Sequence, residues 1–194
     1  MIPLPGSGAE DVAVDASGAV YTGTREGYLL RISPDGRTID RIAQTGGRPL
    51  GIEVHPEGWL VVCDAHRGLL RIDPATGTIS ELVTAIEGRP MRFTNNCAVA
   101  RDGTIYFSDS SLHYGLDEFK GDILSHTGTA RLIRRDPDGT VTVLLDDLDF
   151  ANGAVPIYPD VETDPTKGVT HYFYQVQDGR HTVISPDTDA EAAF

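Results

Sequence analysis

Three stretches decide the fold: VAVDASG at 12–18, IEVHPEG at 52–58 and AVARDG at 98–103. Each is a short run rich in apolar residues that ends in a polar turn closed by glycine. The closing glycines, Gly18, Gly58 and Gly103, lie 40 and then 45 residues apart. Short strands that recur at such a period indicate a repeat architecture rather than one continuous sheet.

The same order of strands and turns follows each glycine. A second strand is predicted at 19–24, 59–64 and 104–109, and a third, of the type LLRI, at 29–32, 69–72 and 131–134. Proline-containing turns and a fourth strand come next, the turns at 33–36, 73–77 and 136–139 and the strands at 38–43, 78–83 and 140–145. Proline presets φ for the first corner of such a turn, and glycine accepts its left-handed exit.

Four short strands in 40 to 45 residues predict an all-β protein built from β-propeller blades. The blades are expected at about 8–50, 51–93 and 94–150. A sandwich with coincidental turns is the alternative, and the strand-for-strand match of three units argues against it.

The pattern weakens after Phe150. A fourth unit starts at 151–155 and is broken by Pro156, so 151–194 is expected to be a divergent fourth blade or a tail. A hairpin is predicted there around Asp178-Gly179. The chain therefore predicts a partial propeller of three to four blades, and the third blade carries an insert at 110–129.

Composition narrows the classes of partner. The formal net charge of −13 argues against nucleic acid and against an anionic membrane surface. No apolar run is long enough to cross a membrane and no signal peptide is recognised, so a cytoplasmic location is expected. Cys63 and Cys97 lie in apolar strand-like runs, which favours small buried side chains over a disulfide or a metal pair.

One repeat position, eight residues before each closing glycine, carries side chains suited to chemistry. It holds Glu10, Leu50 and Asn95, and the alignment of the fourth unit adds Asn152. Equivalent positions in a propeller converge on its axis, and carboxylate and amide oxygens are ligands for Ca²⁺, Mg²⁺ or Mn²⁺. The alternative is that the asparagines are turn residues and Glu10 is a surface acid, and the spacing leaves both open.

Longer stretches resemble a known family. RFTNNCAV at 92–99 with GTIYFSDSS at 103–111, LDDLDFANG at 145–153 and GAEDVAVD at 8–15 are similar to the strictosidine-synthase-like and SMP-30/gluconolactonase proteins. The resemblance covers about residues 8–153, and it implies a propeller of the six-bladed type.

The resemblance also implies roles for individual residues. Glu10 and Asn152 would be metal ligands, and Asn95 would contact the metal or the bound substrate. The implied ion is Ca²⁺ first, with Mg²⁺, Mn²⁺ or Zn²⁺ as alternatives. Arg92, Ser110 and Tyr114, in or beside the matching motif, are expected to contact the substrate.

Two departures from the family pattern bear on activity. The family usually shows Asn-Asp where this chain has Asn95-Asn96. It also uses an aspartate from a later blade as metal ligand or general base. No convincing substitute for it is found among the aspartates beyond residue 155: Asp160, Asp164, Asp178 and Asp187.

Strand direction places the loops that join second to third strands at the same end as Glu10, Asn95 and Asn152. The insert 110–129 would then cover the channel mouth as a lid. His66 and His113 lie in these loops and are the catalytic candidates for proton transfer, with solvated loop histidines as the alternative.

The sequence therefore favours a divalent-metal-dependent hydrolase of lactones or related small-molecule esters. A non-catalytic propeller fragment acting as a binding module is one alternative, favoured by Leu50 and by the absent aspartate. A strictosidine-synthase-like protein without hydrolase activity is the other. Since a six-bladed ring needs roughly 250 residues, self-association through open blade faces is also expected.

Overall fold

The computed structural model describes residues 2–153 and the backbone of two further strands, 173–177 and 180–184. Three four-stranded sheets follow one another along the chain, and within each the strands pair in chain order. Blade 1 consists of β1 (Val12–Val14), β2 (Val20–Gly23), β3 (Tyr28–Ile32) and β4 (Ile39–Gln44). Blade 2 consists of β5 (Pro49–Val54), β6 (Leu60–Asp64), β7 (Gly68–Ile72) and β8 (Ile79–Val83).

A small two-stranded sheet, β9 (Ala85–Ile86) and β10 (Arg89–Pro90), leads into blade 3. Blade 3 consists of β11 (Thr94–Val99), β12 (Ile105–Asp109), β13 (Ala130–Arg135) and β14 (Val141–Leu148). All neighbouring strands of the three blades are antiparallel. The predicted all-β partial propeller is thereby confirmed.

Two local features were not predicted from the repeat. Glu87 and Gly88 both have positive φ, 50° and 76°, which makes the tight primed turn that joins β9 to β10. The insert folds into a 3₁₀-helix at Leu116–Glu118 and an α-helix, α1 (Phe119–Ser125). A strand-based repeat gives no information on the insert, because the insert lies outside the repeating pattern.

Apolar side chains pack between successive blades. One cluster joins blade 1 to blade 2 and includes Tyr21, Leu29 and Ile52. Another joins blade 2 to blade 3, and both cysteines belong to it as free, buried thiols, Cys63 and Cys97. The core of this protein is therefore the set of interfaces between sheets, and each blade depends on its neighbour for burial.

The innermost strands approach each other closely at Gly51. A Cβ atom at this position would lie 2.6 Å from Cα of Asn96 on β11, which leaves no space for a side chain. Glycine thus lets β5 and β11 come together without an intervening side chain. The first strands of blades 2 and 3 therefore meet next to Leu50 and Asn95, two residues of the repeat position singled out in the sequence.

Blade 1 exposes apolar side chains that its neighbours bury. Val12, Ile52 and Cys97 occupy one repeat position, six residues before the closing glycine. Ile52 and Cys97 are 1% and 3% exposed, whereas Val12 is 60% exposed, as is Val14. Among residues 2–153, nothing therefore covers the face of blade 1 that would contact a preceding blade.

The C-terminal part contains an antiparallel pair, β15 (Phe173–Gln177) and β16 (Arg180–Ile184), with Gln177 opposite Arg180. This agrees with the hairpin predicted around residues 178–179. The rest of the expected fourth unit, from residue 154, and the tail lie outside the described residues. Within the described part of the chain no helix is long and apolar enough to span a membrane.

We expect the 194-residue chain to self-associate through the open face of blade 1, because exposed apolar area on a blade favours contact with a second copy. Static light scattering should give a mass that rises with protein concentration. The double variant Val12→Thr/Val14→Thr keeps β-branched side chains and should lower that mass. Val141→Thr on β14 is the control and should not. A monodisperse monomer with one cooperative melting transition would contradict the expectation.

Candidate active site

A cavity of about 560 Å³ opens at the end of the blades where the innermost strands begin. Its wall includes all four residues of the repeat position singled out in the sequence: Glu10, Leu50, Asn95 and Asn152. We call these four residues the inner ring. The structure therefore brings the three predicted metal ligands together on one cavity.

A bulge in the strand pairing lifts inner-ring residues out of the ladder. In blade 2 the register of β5 on β6 shifts between Pro49 and Ile52, around Leu50. In blade 3 the register of β11 on β12 shifts between Thr94 and Cys97, around Asn95. Bulges re-aim side chains next to functional sites, and here the same device recurs in two blades.

A second ring lies two residues earlier in the chain. It contains Gly8, Arg48, Phe93 and Phe150, and the last three line the cavity. We call these four residues the outer ring. The Arg48 guanidinium donates hydrogen bonds to the backbone carbonyls of Gly8 and Pro49, and so ties the start of blade 1 to the start of blade 2.

Buried aspartates at the ends of the second strands hold the outer ring in place. Asp64 Oδ1 accepts the backbone N–H of Arg48 at 2.9 Å, and Asp109 Oδ1 accepts that of Phe93 at 2.9 Å. Asp109 Oδ2 also pairs with the buried Arg131 guanidinium at 2.7 Å. Asp109 of the FSDSS motif therefore has a structural role: it fixes where blade 3 begins.

A hydrogen-bond relay orients Asn95. The Ser110 hydroxyl donates to the carbonyl of Ala151 at 2.7 Å, so it can only accept from the Asn95 Nδ2 group, which lies 2.9 Å away. One N–H of the amide is thereby committed to Ser110, which fixes the orientation of the Asn95 amide at the cavity wall. The same relay ties Asn95 to the residue that precedes Asn152.

Charge is concentrated on the side of the cavity formed by blades 1 and 2. Glu10, Arg25, Arg48 and His66 line this part. Desolvation raises the pKa of Glu10, and the nearby positive charge of Arg48 opposes that shift. Desolvation likewise lowers the pKa of Arg48, with the charge of Glu10 acting in the other direction. A positively charged ligand near the Glu10 carboxylate would offset the energetic cost of that desolvation.

The opposite side of the cavity is apolar. Phe93 and Phe150 meet edge to face with ring centroids 5.7 Å apart, and Phe119 lies 6.3 Å from Phe150. Leu116, Asp117 and Phe119 bring the insert onto the cavity wall, as expected of a lid.

Asp122 fixes the shape of the insert. Its Oδ1 accepts the hydroxyl protons of Ser111 at 2.6 Å and Thr127 at 2.5 Å. Ser111 in turn accepts the backbone N–H groups of His113 and Tyr114. This buried carboxylate thus connects the start of the insert to its end, which positions Leu116 and Phe119 over the cavity.

Of the predicted catalytic and substrate-binding residues, His66 lines the cavity and is exposed. Several others lie away from the cavity wall. His113 is exposed in the insert and is not among the lining residues. Arg92 faces Glu118, with Nη2 and Oε2 3.9 Å apart, and the Tyr114 hydroxyl lies 3.3 Å from Ser125 Oγ. Ser110 is buried and acts on Asn95 rather than on the cavity space.

The sequence reasoning missed Arg25, Arg48, Phe93, Phe119 and Phe150 as lining residues. Counting two positions back from the inner ring would have found the three that belong to the outer ring. Arg25 and Phe119 lie in a loop and in the insert that strand direction places at this end, but the sequence does not show which side chains of those segments reach the cavity.

The chemistry of the wall fits a hard cation with few charged ligands. Among residues 2–153, no three His, Cys, Asp or Glu side chains are grouped so as to hold an ion. An ion here would rely on the Glu10 carboxylate and on the amide oxygens of Asn95 and Asn152. Oxygen donors of this kind suit calcium or magnesium, whereas zinc favours histidine and cysteine.

The family follows from comparison with known sequences. The sequence model of the family described as strictosidine synthase matches residues 95–161. The sequence model described as the N-terminal part of strictosidine synthase-like proteins matches residues 1–32. Strictosidine synthase-like protein 6 of Arabidopsis thaliana is 40% identical over 158 residues, which are 78% of this chain and 42% of that protein. The chain belongs to the strictosidine-synthase-like family.

A second relative is the adipocyte plasma membrane-associated protein of Salmo salar, 37% identical over 163 residues, with 74% of this chain and 38% of that protein covered. The chain thus spans about two fifths of the length of these curated relatives.

Solved structures agree on the fold. A gluconolactonase from Xanthomonas campestris superposes with a TM-score of 0.66 at 23% identity, over 91% of this chain and 61% of that one. Regucalcin from Agrobacterium tumefaciens, described as a calcium-binding protein, gives a TM-score of 0.65 at 18% identity, over 98% of this chain and 59% of that one.

Removing the Ser110 hydroxyl should loosen the site and lower stability. Ser110→Ala leaves the Asn95 amide and the Ala151 carbonyl without their buried partner, which should reduce the free energy of unfolding by about 1–3 kcal/mol. Urea denaturation followed by circular dichroism measures this. Ser125→Ala, at an exposed position on the insert, is the control, with a change of about 0.5 kcal/mol or less. Equal stability of the two variants would mean that the relay does not hold the site.

Proposed function

We propose that the chain carries the metal-binding and substrate-binding mouth of a divalent-metal-dependent hydrolase of lactones or related esters. The observation that carries the proposal is the inner ring: Glu10, Asn95 and Asn152 occupy equivalent repeat positions and line one cavity. Membership of the strictosidine-synthase-like family and the likeness in fold to a gluconolactonase support it. Because the chain spans only part of its relatives, the activity of a whole protein of this type is itself part of the proposal.

Glu10, Asn95 and Asn152 would hold the ion, with Ca²⁺ the first candidate. A bound divalent cation polarises a carbonyl group and stabilises negative charge that develops on its oxygen. The chain's own part is to orient the ligands: the Ser110 relay fixes the carbonyl of Asn95 as an acceptor. Arg48 keeps the segment that carries Glu10 beside blade 2 through its bond to the Gly8 carbonyl.

His66 is the proton-transfer candidate on the cavity wall, since it lies in the loop after β6 and its backbone N–H is held by Asp64 at 3.0 Å. The neutral form of an imidazole can take a proton from an attacking water molecule. Phe93, Phe119 and Phe150 would pack against the organic part of the substrate and keep bulk water from it.

A second candidate function is a binding module without catalysis. Leu50 supports it, since this inner-ring residue offers no ligand atom. Strictosidine-synthase-like chemistry without hydrolysis is a third. The expected cytoplasmic location stays a prediction, and one relative is named as plasma membrane-associated.

Calcium should raise the melting temperature of the chain, because an ion that binds only the folded state stabilises it. Glu10→Gln and Asn152→Ala should each abolish most of that rise, and both should lose hydrolysis of gluconolactone and phenyl acetate measured with a pH indicator. Glu87→Gln is the control: it removes one carboxylate charge at the exposed turn between β9 and β10, and it should keep both the calcium-dependent rise and the hydrolysis. A calcium-dependent shift that survives both cavity variants would contradict the metal assignment. A normal calcium shift without turnover would favour the binding module.

The pH dependence of calcium binding should reflect the raised pKa of Glu10. Although Glu10 is exposed at the cavity rim, partial desolvation raises that pKa, so the carboxylate becomes protonated at a higher pH than an ordinary glutamate and calcium affinity should fall as pH decreases through that value.

The stability of the ion-free protein should change with pH in the opposite direction to calcium affinity. The folded state holds the Glu10 proton more tightly than the unfolded state, so stability is lost as pH rises through the raised pKa. Glu10→Gln should therefore melt higher than the wild type without calcium at pH 8, and the two should converge at acidic pH. Thermal melts from pH 4 to 8 measure this, and a lower melting temperature of the variant at pH 8 would show that the charge is stabilising.

A further inference from the structure

We propose that the cavity selects substrates that carry a carboxylate beside an apolar body. Arg48 and Arg25 bind the carboxylate, and the wall of Phe93, Phe119 and Phe150 packs against the body. This inference names the substrate class of the proposed function, and it rests on this cavity being the substrate site.

Arg48 is the first reason. Its side chain belongs to a residue that is only 8% exposed, yet it lines the cavity. Within residues 2–153 it forms no ion pair, although it senses the charges of Glu10, Glu26 and Asp64. Two of its five N–H groups are held by backbone carbonyls, which fixes the guanidinium plane. A buried cation without a paired carboxylate favours an anionic ligand.

Arg25 adds a second guanidinium from the loop after β2. Its backbone N–H is anchored to the Ser7 carbonyl at 2.8 Å, but its guanidinium has no hydrogen-bond or ion-pair partner among the described residues. Its charge contributes to the lowered pKa of Arg48, so the two cations share one electrostatic environment. An anion placed between them would relieve this repulsion, in a chain whose net charge is −13.

The two acidic residues of the wall do not satisfy these arginines. Asp117 is exposed on the insert, at the side that carries Phe119. Glu10 is not ion-paired with either arginine, and when it holds a cation its charge is committed there. With the ion in place, Arg48 and Arg25 are the arginines of the wall that remain for the substrate, and the carboxylate of Asp117 lies on the insert.

The apolar side sets the other half of the selection. Leu50, Leu116 and the three phenylalanines line it. A volume of about 560 Å³ is within the range of small-molecule sites and holds an aryl or alkyl group together with a carboxylate. A planar guanidinium matches the two oxygens of a carboxylate, which makes the charged end directional.

The test compares 4-phenylbutanoate with 4-phenylbutanamide, which has the same shape without the charge, by calorimetric titration of the 194-residue chain with and without calcium. The acid should bind about tenfold or more tightly than the amide. Arg25→Gln should weaken the acid several-fold and leave the amide unchanged, and Phe119→Ala should weaken both. Arg37→Gln, at the exposed turn after β3, is the charge-matched control and should change neither. Equal binding of acid and amide, or equal loss of both in Arg25→Gln, would overturn the proposal.

Failure of the two proposals can be told apart because this measurement needs no turnover. Preference for the acid without any calcium shift or hydrolysis would retain the anion site and remove the proposed hydrolase. Normal calcium binding and hydrolysis with no preference for the acid would retain the proposed hydrolase and remove the anion site.

Discussion

Packing between consecutive blades is the constraint on which the rest of the structure depends. A single four-stranded sheet of this protein has apolar side chains on both faces, and Ile52 and Cys97 are buried only because a preceding blade covers them. The close approach of β5 and β11 at Gly51 sets how near the innermost strands come. Side chains that are more than forty residues apart in sequence share one cavity because this packing repeats.

Within that frame, structural and functional residues alternate along very short stretches. Asp64 and Asp109 end the second strands of blades 2 and 3, and each binds the backbone just before the first strand of its own blade, so these carboxylates hold the fold. The bulges around Leu50 and Asn95 follow immediately and turn those side chains toward the mouth. The inner-ring position can hold Glu, Leu or Asn because neighbouring residues, and not the inner-ring residue itself, hold the backbone in place.

The fold and half of the cavity could be predicted from the sequence because both follow the repeat. Turn residues such as Pro34 and Gly36 mark strand ends, and positions that share a phase in the repeat share a place in space, which brought Glu10, Asn95 and Asn152 together. The outer ring has the same phase relation, but its glycine, arginine and phenylalanines share no chemistry that would mark the position in the sequence. Phe119 could not be found this way, since a helix in an insert obeys no repeat, and Arg25 depends on a loop.

The Ser110 relay gives the site a fixed hydrogen-bond polarity. A serine hydroxyl carries one proton, and here that proton is directed to the carbonyl of Ala151. The Asn95 amide cannot flip without placing its carbonyl oxygen against another acceptor lone pair, so its orientation is determined by the backbone of the following segment. The consequence is that the amide presents a fixed pattern of donor and acceptor atoms at the cavity wall. A ligand at that point has to match this pattern, because reorienting the side chain would break the relay.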